Sequence, residues 1–330
     1  MAPADALYPI CFVTNTISAQ AQTFLRDRHV QPGVSWADKA AGRLAAAAFN
    51  TATGPSSAAA AAQFLQDIRN ETMGGVPVTI GTPRGMKQQN ADKMLIYVHG
   101  GAYVKGSCYH LWHVTAMAAQ LAGVQVLCFE YRLAFDAPFP AALDDALAVY
   151  KDLISSNHYK AQNIVLIGDS AGGGLALALV LKAKQQQLPL PGALLLLSPW
   201  ADLTQSGDTQ TTLTAVDPIL QYTLNLAQPA LTYVNGNPAL LLDPLVSPLK
   251  AAAEAFKGFP PTLIQIGLRD SLLSLATILH RKLTSVGVAS VLSPWEGMWH
   301  VFQASLDVPE AQEAQRELAK FLVKHLELEV

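Results

Sequence analysis

No surplus of basic charge marks this sequence: 22 Lys and Arg stand against 25 Asp and Glu, a formal net charge of -3. The positive footprint that nucleic acid or an anionic membrane surface selects is missing, so neither is expected as a partner. Charge of either sign is scarce, at 14% of residues against 51% hydrophobic ones, which excludes disorder and implies a large buried core. Cysteine is rarer still. Cys11, Cys108 and Cys128 are odd in number and form no CxxC pair, so they suggest neither a disulfide framework nor a zinc site and read as small buried hydrophobes. No His or carboxylate pairs fall at metal-ligand spacing, and no G-x-G-x-x-G follows a first strand with an acid beyond it; no metal and no cofactor are expected. The N-terminus lacks a basic start and an unbroken apolar stretch, because Pro3, Asp5 and Pro9 interrupt it. Without a secretory signal the expected compartment is the cytoplasm. No apolar run approaches the roughly 20 residues of a bilayer span. The run 193–197 stops at Ser198-Pro199 and the run 175–181 at Lys182, so no membrane span is expected.

What the chain does have is a change of rhythm near residue 70. Length alone allows two modest domains or one large α/β domain with insertions, and the order of elements favours the second. Up to residue 70, Ala-rich helix-favouring stretches (16–28, 36–49 and 57–68) alternate with breakers at Pro32-Gly33 and Gly54-Pro55, and no strand pattern is visible. Phe49, Phe64, Leu65 and Ile68 supply apolar anchors, so residues 1–70 are expected to form a helical cap segment. From 71 to 330, β-rich runs (94–98, 124–130, 164–167, 193–197, 263–266, 288–292) alternate with helical patterns (111–121, 141–154, 171–186, 271–286, 310–326). That alternation predicts an α/β core with a mostly parallel sheet, helices on both faces, and ligands beyond the carboxyl ends of the strands. Residues 203–248 break the rhythm with polar residues and prolines, and read as an insertion that completes the cap.

Two glycine-rich bends follow strands directly. Ile164-Val165-Leu166-Ile167 runs into Gly168-Asp169-Ser170-Ala171-Gly172 and then an apolar helix. Such a strand–turn–helix G-x-S-x-G is a nucleophile elbow, in which glycines let the backbone turn sharply and lift the serine hydroxyl out of the sheet. By itself the pattern also fits a phosphate loop or a plain turn; the preceding strand and following helix favour the nucleophile. At the helix N-terminus the N–H of Ala171 faces any negative charge that develops beside Ser170. The second bend, His99-Gly100-Gly101-Ala102-Tyr103, follows 94–98 and would turn the N–H groups of Gly101 and Ala102 into the same cleft, with Gly100 making the bend. His99 is expected to hold this loop by hydrogen bonding and not to act as the base.

A serine nucleophile needs an imidazole to take its proton and a carboxylate to fix the imidazole, in the chain order Ser, acid, His. Of the three later histidines, His280 lies in an apolar helical stretch and His325 in the charged last helix, whereas His300 sits in a loop beyond the run 288–292. Asp202, Asp208, Asp217 and Asp243 fall in or beside the insertion and Glu254 precedes a bend; only Asp270 follows directly on a β-run. Asp270 could equally cap the helix after it, a role compatible with catalysis. Glu296 is the competing acid.

These blocks, with Gly297-Met298-Trp299-His300, resemble the hormone-sensitive lipase family of α/β-hydrolase esterases, in its GDSAG branch. Glu130-Tyr131-Arg132-Leu133-Ala134, Phe139-Pro140-Ala141-Ala142 and Ser198-Pro199-Trp200 resemble the family's connecting motifs in order, from about residue 93 to the C-terminus. The resemblance implies the α/β-hydrolase fold with a helical cap, no cofactor, and short to medium acyl esters as small-molecule substrates. It implies a Ser170, Asp270, His300 triad, oxyanion donors on Gly101, Ala102 and Ala171, and a homodimer paired through a sheet edge. Gly297 to Phe302 is most similar to monoterpene ε-lactone hydrolases, which adds lactones to the expected substrates. The sequence departs from the family twice. Ala102 stands where a third glycine is usual, narrowing the acyl pocket against esters of bulky tertiary alcohols. Asp270-Ser271-Leu272-Leu273-Ser274 replaces an Asp-Pro-Leu-x-Asp stretch, so an acidic neighbour of the triad acid is expected to be missing. Two other readings use the same fold: a non-catalytic small-molecule receptor, disfavoured because a base is present, and an amidase.

Overall fold

The computed structural model describes residues 13–27, 38–155 and 159–329. Cys11, the Pro32-Gly33 break and Trp36 lie outside them. Helix α1 (Ala19–Asp27) and the long α2 (Lys39–Phe64) precede the sheet. Asp38 caps α2, its carboxylate accepting from the N–H groups of Ala40 and Ala41. The expected break at Gly54-Pro55 does not occur, since Pro55 lies inside α2. Support comes from outside the helix: the Ser57 hydroxyl donates to the Tyr109 carbonyl at 2.8 Å and accepts from the Trp112 N–H at 2.9 Å. Those bonds anchor the turn in which proline removes one of the helix's own.

A second departure follows at once, because strand β1 (Leu65–Met73) begins inside the segment read as free of strands. Its polar sequence, Gln66-Asp67-Ile68-Arg69-Asn70-Glu71, shows no apolar alternation because β1 is an edge strand that exposes most of its residues. Charge on an edge also discourages pairing with other chains.

The remaining elements alternate as expected: β2 (Val76–Pro83), β3 (Met94–Val98), α3 (Ala116–Ala122), β4 (Gln125–Phe129), α4 (Ala141–Ser155), β5 (Ile164–Asp169), α5 (Ala171–Gln185) and β6 (Ala193–Leu197). The 203–248 segment carries the short α6 (Thr209–Thr212), a π-helical turn (Tyr222–Leu226) and α7 (Ala227–Tyr233); then come β7 (Thr262–Gly267), α8 (Leu273–Ser285), β8 (Ser290–Trp295) and α9 (Pro309–Leu326). The eight strands form one sheet in the order β1-β2-β4-β3-β5-β6-β7-β8. Pairing is antiparallel from β1 to β4 and parallel across the rest.

Every residue of β3, β5, β6 and β7 is buried, as parallel strands covered on both faces require. Ile96, Leu166 and Leu196 join Leu147, Leu175 and Leu279 of α4, α5 and α8 on one face; Leu95, Val165 and Leu195 join Ala119, Leu318 and Leu322 of α3 and α9 on the other. Each such Val, Leu or Ile side chain contributes about 1.5–3 kcal/mol, which makes the sheet a firm base for the loops at its edge. In register, Val98 lies opposite Gly168, Asp169 opposite Leu197, and Gly267 opposite Trp295. The loops after β3, β5, β7 and β8 therefore leave the same edge.

The cysteines differ from expectation: Cys108 and Cys128 are joined in a disulfide, with Cα atoms 5.5 Å apart. Separated by 20 residues and by no recognisable motif, they meet because β4 runs beside the loop that follows β3. Both are buried, as the reading of them as small hydrophobes expects, but their pairing departs from the expectation that the sequence holds no disulfide. No helix among the described residues is long and apolar enough to cross a membrane.

Candidate active site

At the end of β5 the backbone turns so tightly that side chains have no room. A Cβ on Gly172 would lie 2.0 Å from the Val98 carbonyl, and one on Gly168 2.4 Å from the Gly172 carbonyl. Ser170 takes φ 52° and ψ -122°, a conformation that costs a non-glycine residue about 1–3 kcal/mol and is held here by its surroundings. Its N–H donates to Leu197 at 2.9 Å and its carbonyl accepts from Trp200 at 2.8 Å, so β6 and the loop after it clamp the turn.

The hydroxyl this turn presents is met by an imidazole from 130 residues further along. His300 Nε2 lies 3.0 Å from Ser170 Oγ, and its Nδ1 lies 3.1 Å from Oδ2 and 3.3 Å from Oδ1 of Asp270. Asp270 is fully buried, and Oδ1 also accepts from the Leu272 N–H at 2.8 Å; acid and turn-capping group coincide in one residue. Burial works to lower the His300 pKa, but the charge and hydrogen bond of Asp270, with the charges of Asp217 and Asp169, outweigh it and leave the balance above the ordinary histidine value. Glu296 is exposed and makes no hydrogen bond to His300 among the described residues. His280 bonds Ser290, and His325 packs beside Phe321, both away from Ser170.

Facing Ser170, the loop after β3 passes through three left-handed residues, Gly101 (φ 111°), Ala102 (φ 55°) and Tyr103 (φ 63°). Glycine is required at two positions: a Cβ on Gly100 would sit 2.2 Å from Asp169 Oδ2, and one on Gly101 2.1 Å from the Lys105 carbonyl. Asp169 fastens this loop to the elbow, since its Oδ1 accepts from the Gly100 N–H and the Tyr97 hydroxyl, both at 2.8 Å. His99 stays beneath. Its Nδ1 donates to the Gly100 carbonyl at 2.8 Å, its ring stacks on Tyr131 at 4.1 Å, and burial pushes its pKa down to about 4. Among the described residues no group accepts from the N–H of Gly101, Ala102 or Ala171. Gly101 and Ala102 line the cleft that Ser170 enters, and Ala171 follows Ser170 at the start of α5.

A cavity of about 240 Å³ opens over Ser170 and His300, walled by Phe49 and Thr53 of α2, Lys105 and His113 after β3, and Ile219 and Leu220 of the 203–248 segment. A larger depression of about 970 Å³, beside Gly74, Lys151 and Tyr159, contains none of these groups.

Several supporting residues play roles that the sequence motifs around them do not reveal. Ser198 (φ 49°) accepts from the Val301 N–H at 2.9 Å and so fixes the residue after His300, itself at φ 52°. Phe24 of α1 stacks on Trp299, the residue before His300, with ring centroids 3.8 Å apart. The carboxylate expected to be missing beside the triad acid is also present, supplied from elsewhere: Asp217, 2% exposed, accepts from the Ser271 N–H at 3.0 Å. Burial first, and then the charge of Asp270, pushes its pKa up to about 7.

A family model described as alpha/beta hydrolase fold matches residues 95–304. Over 270 residues the chain is 35% identical to an acetyl-hydrolase of Streptomyces hygroscopicus, covering 79% of this chain and 88% of that protein. It is 32% identical over 258 residues to an esterase of Acinetobacter venetianus, covering 77% and 83%. Among solved structures, an esterase E25 superposes with a TM-score of 0.87 at 32% identity over 95% of this chain and 96% of that one. An esterase from the bacterial hormone-sensitive lipase family gives 0.72 at 35% identity over 79% and 86%.

Proposed function

Since the chain belongs to the α/β-hydrolase fold family, in its hormone-sensitive-lipase-like branch, we propose that it is a carboxylic ester hydrolase working through an acyl-enzyme on Ser170. The observation that carries this reading is the 3.0 Å approach of His300 Nε2 to Ser170 Oγ, with the other ring nitrogen on buried Asp270. Ser170 Oγ bonds to the ester carbonyl carbon as His300 takes its proton, and Asp270 steadies the imidazolium. The carbonyl oxygen becomes an anion held by the N–H groups of Gly101, Ala102 and Ala171. Collapse breaks the carbon–alkoxide bond, and His300 returns its proton to the leaving alcohol. Water, deprotonated by the same imidazole, then releases the acid and restores Ser170. No step calls for a metal or cofactor.

The cavity of about 240 Å³ is smaller than the roughly 300–1,000 Å³ of drug-sized sites, which favours short to medium acyl groups. An acetyl group, the acyl part in the name of the Streptomyces relative, fits that limit. Small lactones fall within the same chemistry, their alkoxide remaining tethered to the acyl-enzyme after ring opening. Replacing Ser170 by Ala should cut turnover of p-nitrophenyl butyrate at least about a thousandfold with the fold intact; substantial remaining activity would refute the assignment. A base poised on the hydroxyl favours turnover over the receptor reading, and a panel of anilides beside esters separates esterase from amidase.

A further inference from the structure

Asp217 is not needed by the triad as proposed, yet its carboxylate is among the most confined in the molecule. It lies in the 203–248 segment, far from any strand end, and two parts of the site converge on it. Oδ1 accepts from the N–H groups of Ile219 at 2.9 Å and Leu220 at 3.2 Å, two of the residues that wall the cavity over Ser170. Oδ2 accepts from the N–H of Ser271, the residue that follows the triad acid. Among the described residues the Asp270 carboxylate accepts from the Leu272 N–H besides meeting the imidazole, and the Asp217 bond to Ser271 adds support to its loop from outside.

We infer that Asp217 is a positioning residue whose carboxylate ties the pocket wall to the loop carrying the triad acid, so that the placement of the acyl group and the aim of His300 are set together. The inference rests on the acyl-enzyme reading of Ser170. It differs from a plain turn cap in two ways. One of its bonds, from the Ser271 N–H, joins segments 54 positions apart, and the carboxylate when ionised places a further negative charge near the imidazole. The groups that act on His300 are Asp270, Asp217 from the insertion and Asp169 from the elbow; those that act on Asp217 are Asp270 and His300. When ionised, all three carboxylates favour the imidazolium; Asp217, with its own pKa pushed up to about 7, does so only in part at acid pH, so removing it should let His300 shed its proton at slightly lower pH.

The test measures kcat, KM and the pH dependence of kcat/KM for p-nitrophenyl butyrate in Asp217→Asn and Asp217→Glu, with wild-type labelling by a fluorophosphonate as control. In Asp217→Asn the side chain keeps one acceptor oxygen but turns an NH2 group toward one of its three backbone donors. kcat should fall at least about tenfold, and the acid limb of kcat/KM should move down by about half a pH unit. Asp217→Glu keeps the charge but displaces the carboxylate, so kcat should fall while the acid limb stays at the wild-type position. A folded Asp217→Asn with wild-type kcat and an unmoved acid limb overturns the inference. Should that variant not fold, Asp217→Glu with a wild-type kcat overturns it equally. Failure of the wild-type protein to label would instead refute the acyl-enzyme reading on which it rests.

Discussion

Ala102 at φ 55°, Ser170 at φ 52° and Val301 at φ 52° bring three left-handed, side-chain-bearing residues to one cleft. Each costs free energy that the neighbouring bonds offset; Ala102 and Ser170 line the cleft, whereas the Val301 N–H is held by Ser198 and fixes the residue after His300. Ala102 adds a consequence of its own, because its methyl occupies cavity wall where glycine would leave space. Replacing Ala102 by Gly should raise hydrolysis of tert-butyl acetate relative to ethyl acetate by about tenfold, the order of one methyl group's discrimination; an unchanged ratio would count against steric narrowing by this residue. Residues of this kind are legible where a glycine run follows an apolar run, as at His99 to Ala102 and Gly168 to Gly172. The roles of Asp217 and Ser198 are not, even though Ser198 sits in a recognisable motif, because they depend on partners 54 and 103 positions away that only the folded chain brings near.

Elements tell a similar story. Buried parallel strands announce themselves as continuous apolar runs, so β3, β5, β6 and β7 fall where the sequence predicts them, within a residue or two at the ends. Strand β1 does not, since an exposed edge needs no apolar face, and α2 continues through Pro55 because contacts outside the helix hold it. Ser57 is the clearest of those contacts, fully buried and bonded to Tyr109 and Trp112 beside the loop that follows β3. Ser57→Ala would strand the Trp112 N–H, and denaturant unfolding should report a loss of about 1–3 kcal/mol. A loss below a few tenths would mean that α2 owes its continuity to apolar packing instead.

For the whole molecule, the order of elements carries most of the functional information, because alternation alone sends the loops after β3, β5, β7 and β8 to one sheet edge. The Cys108–Cys128 bond belongs to this scale and was invisible in the spacing, as the two residues meet only through the pairing of β3 with β4. The same convergence brings Ser170, His300 and Asp270 from three distant parts of the chain into a row of hydrogen bonds. In the proposed mechanism this row makes the Ser170 oxygen nucleophilic, which mass-spectrometric mapping of the intact protein after treatment with a fluorophosphonate tests. One stoichiometric adduct is expected, on the peptide containing Ser170 and absent from Ser170→Ala; no adduct, or labelling at another residue that persists in that variant, would overturn the assignment of Ser170 as nucleophile.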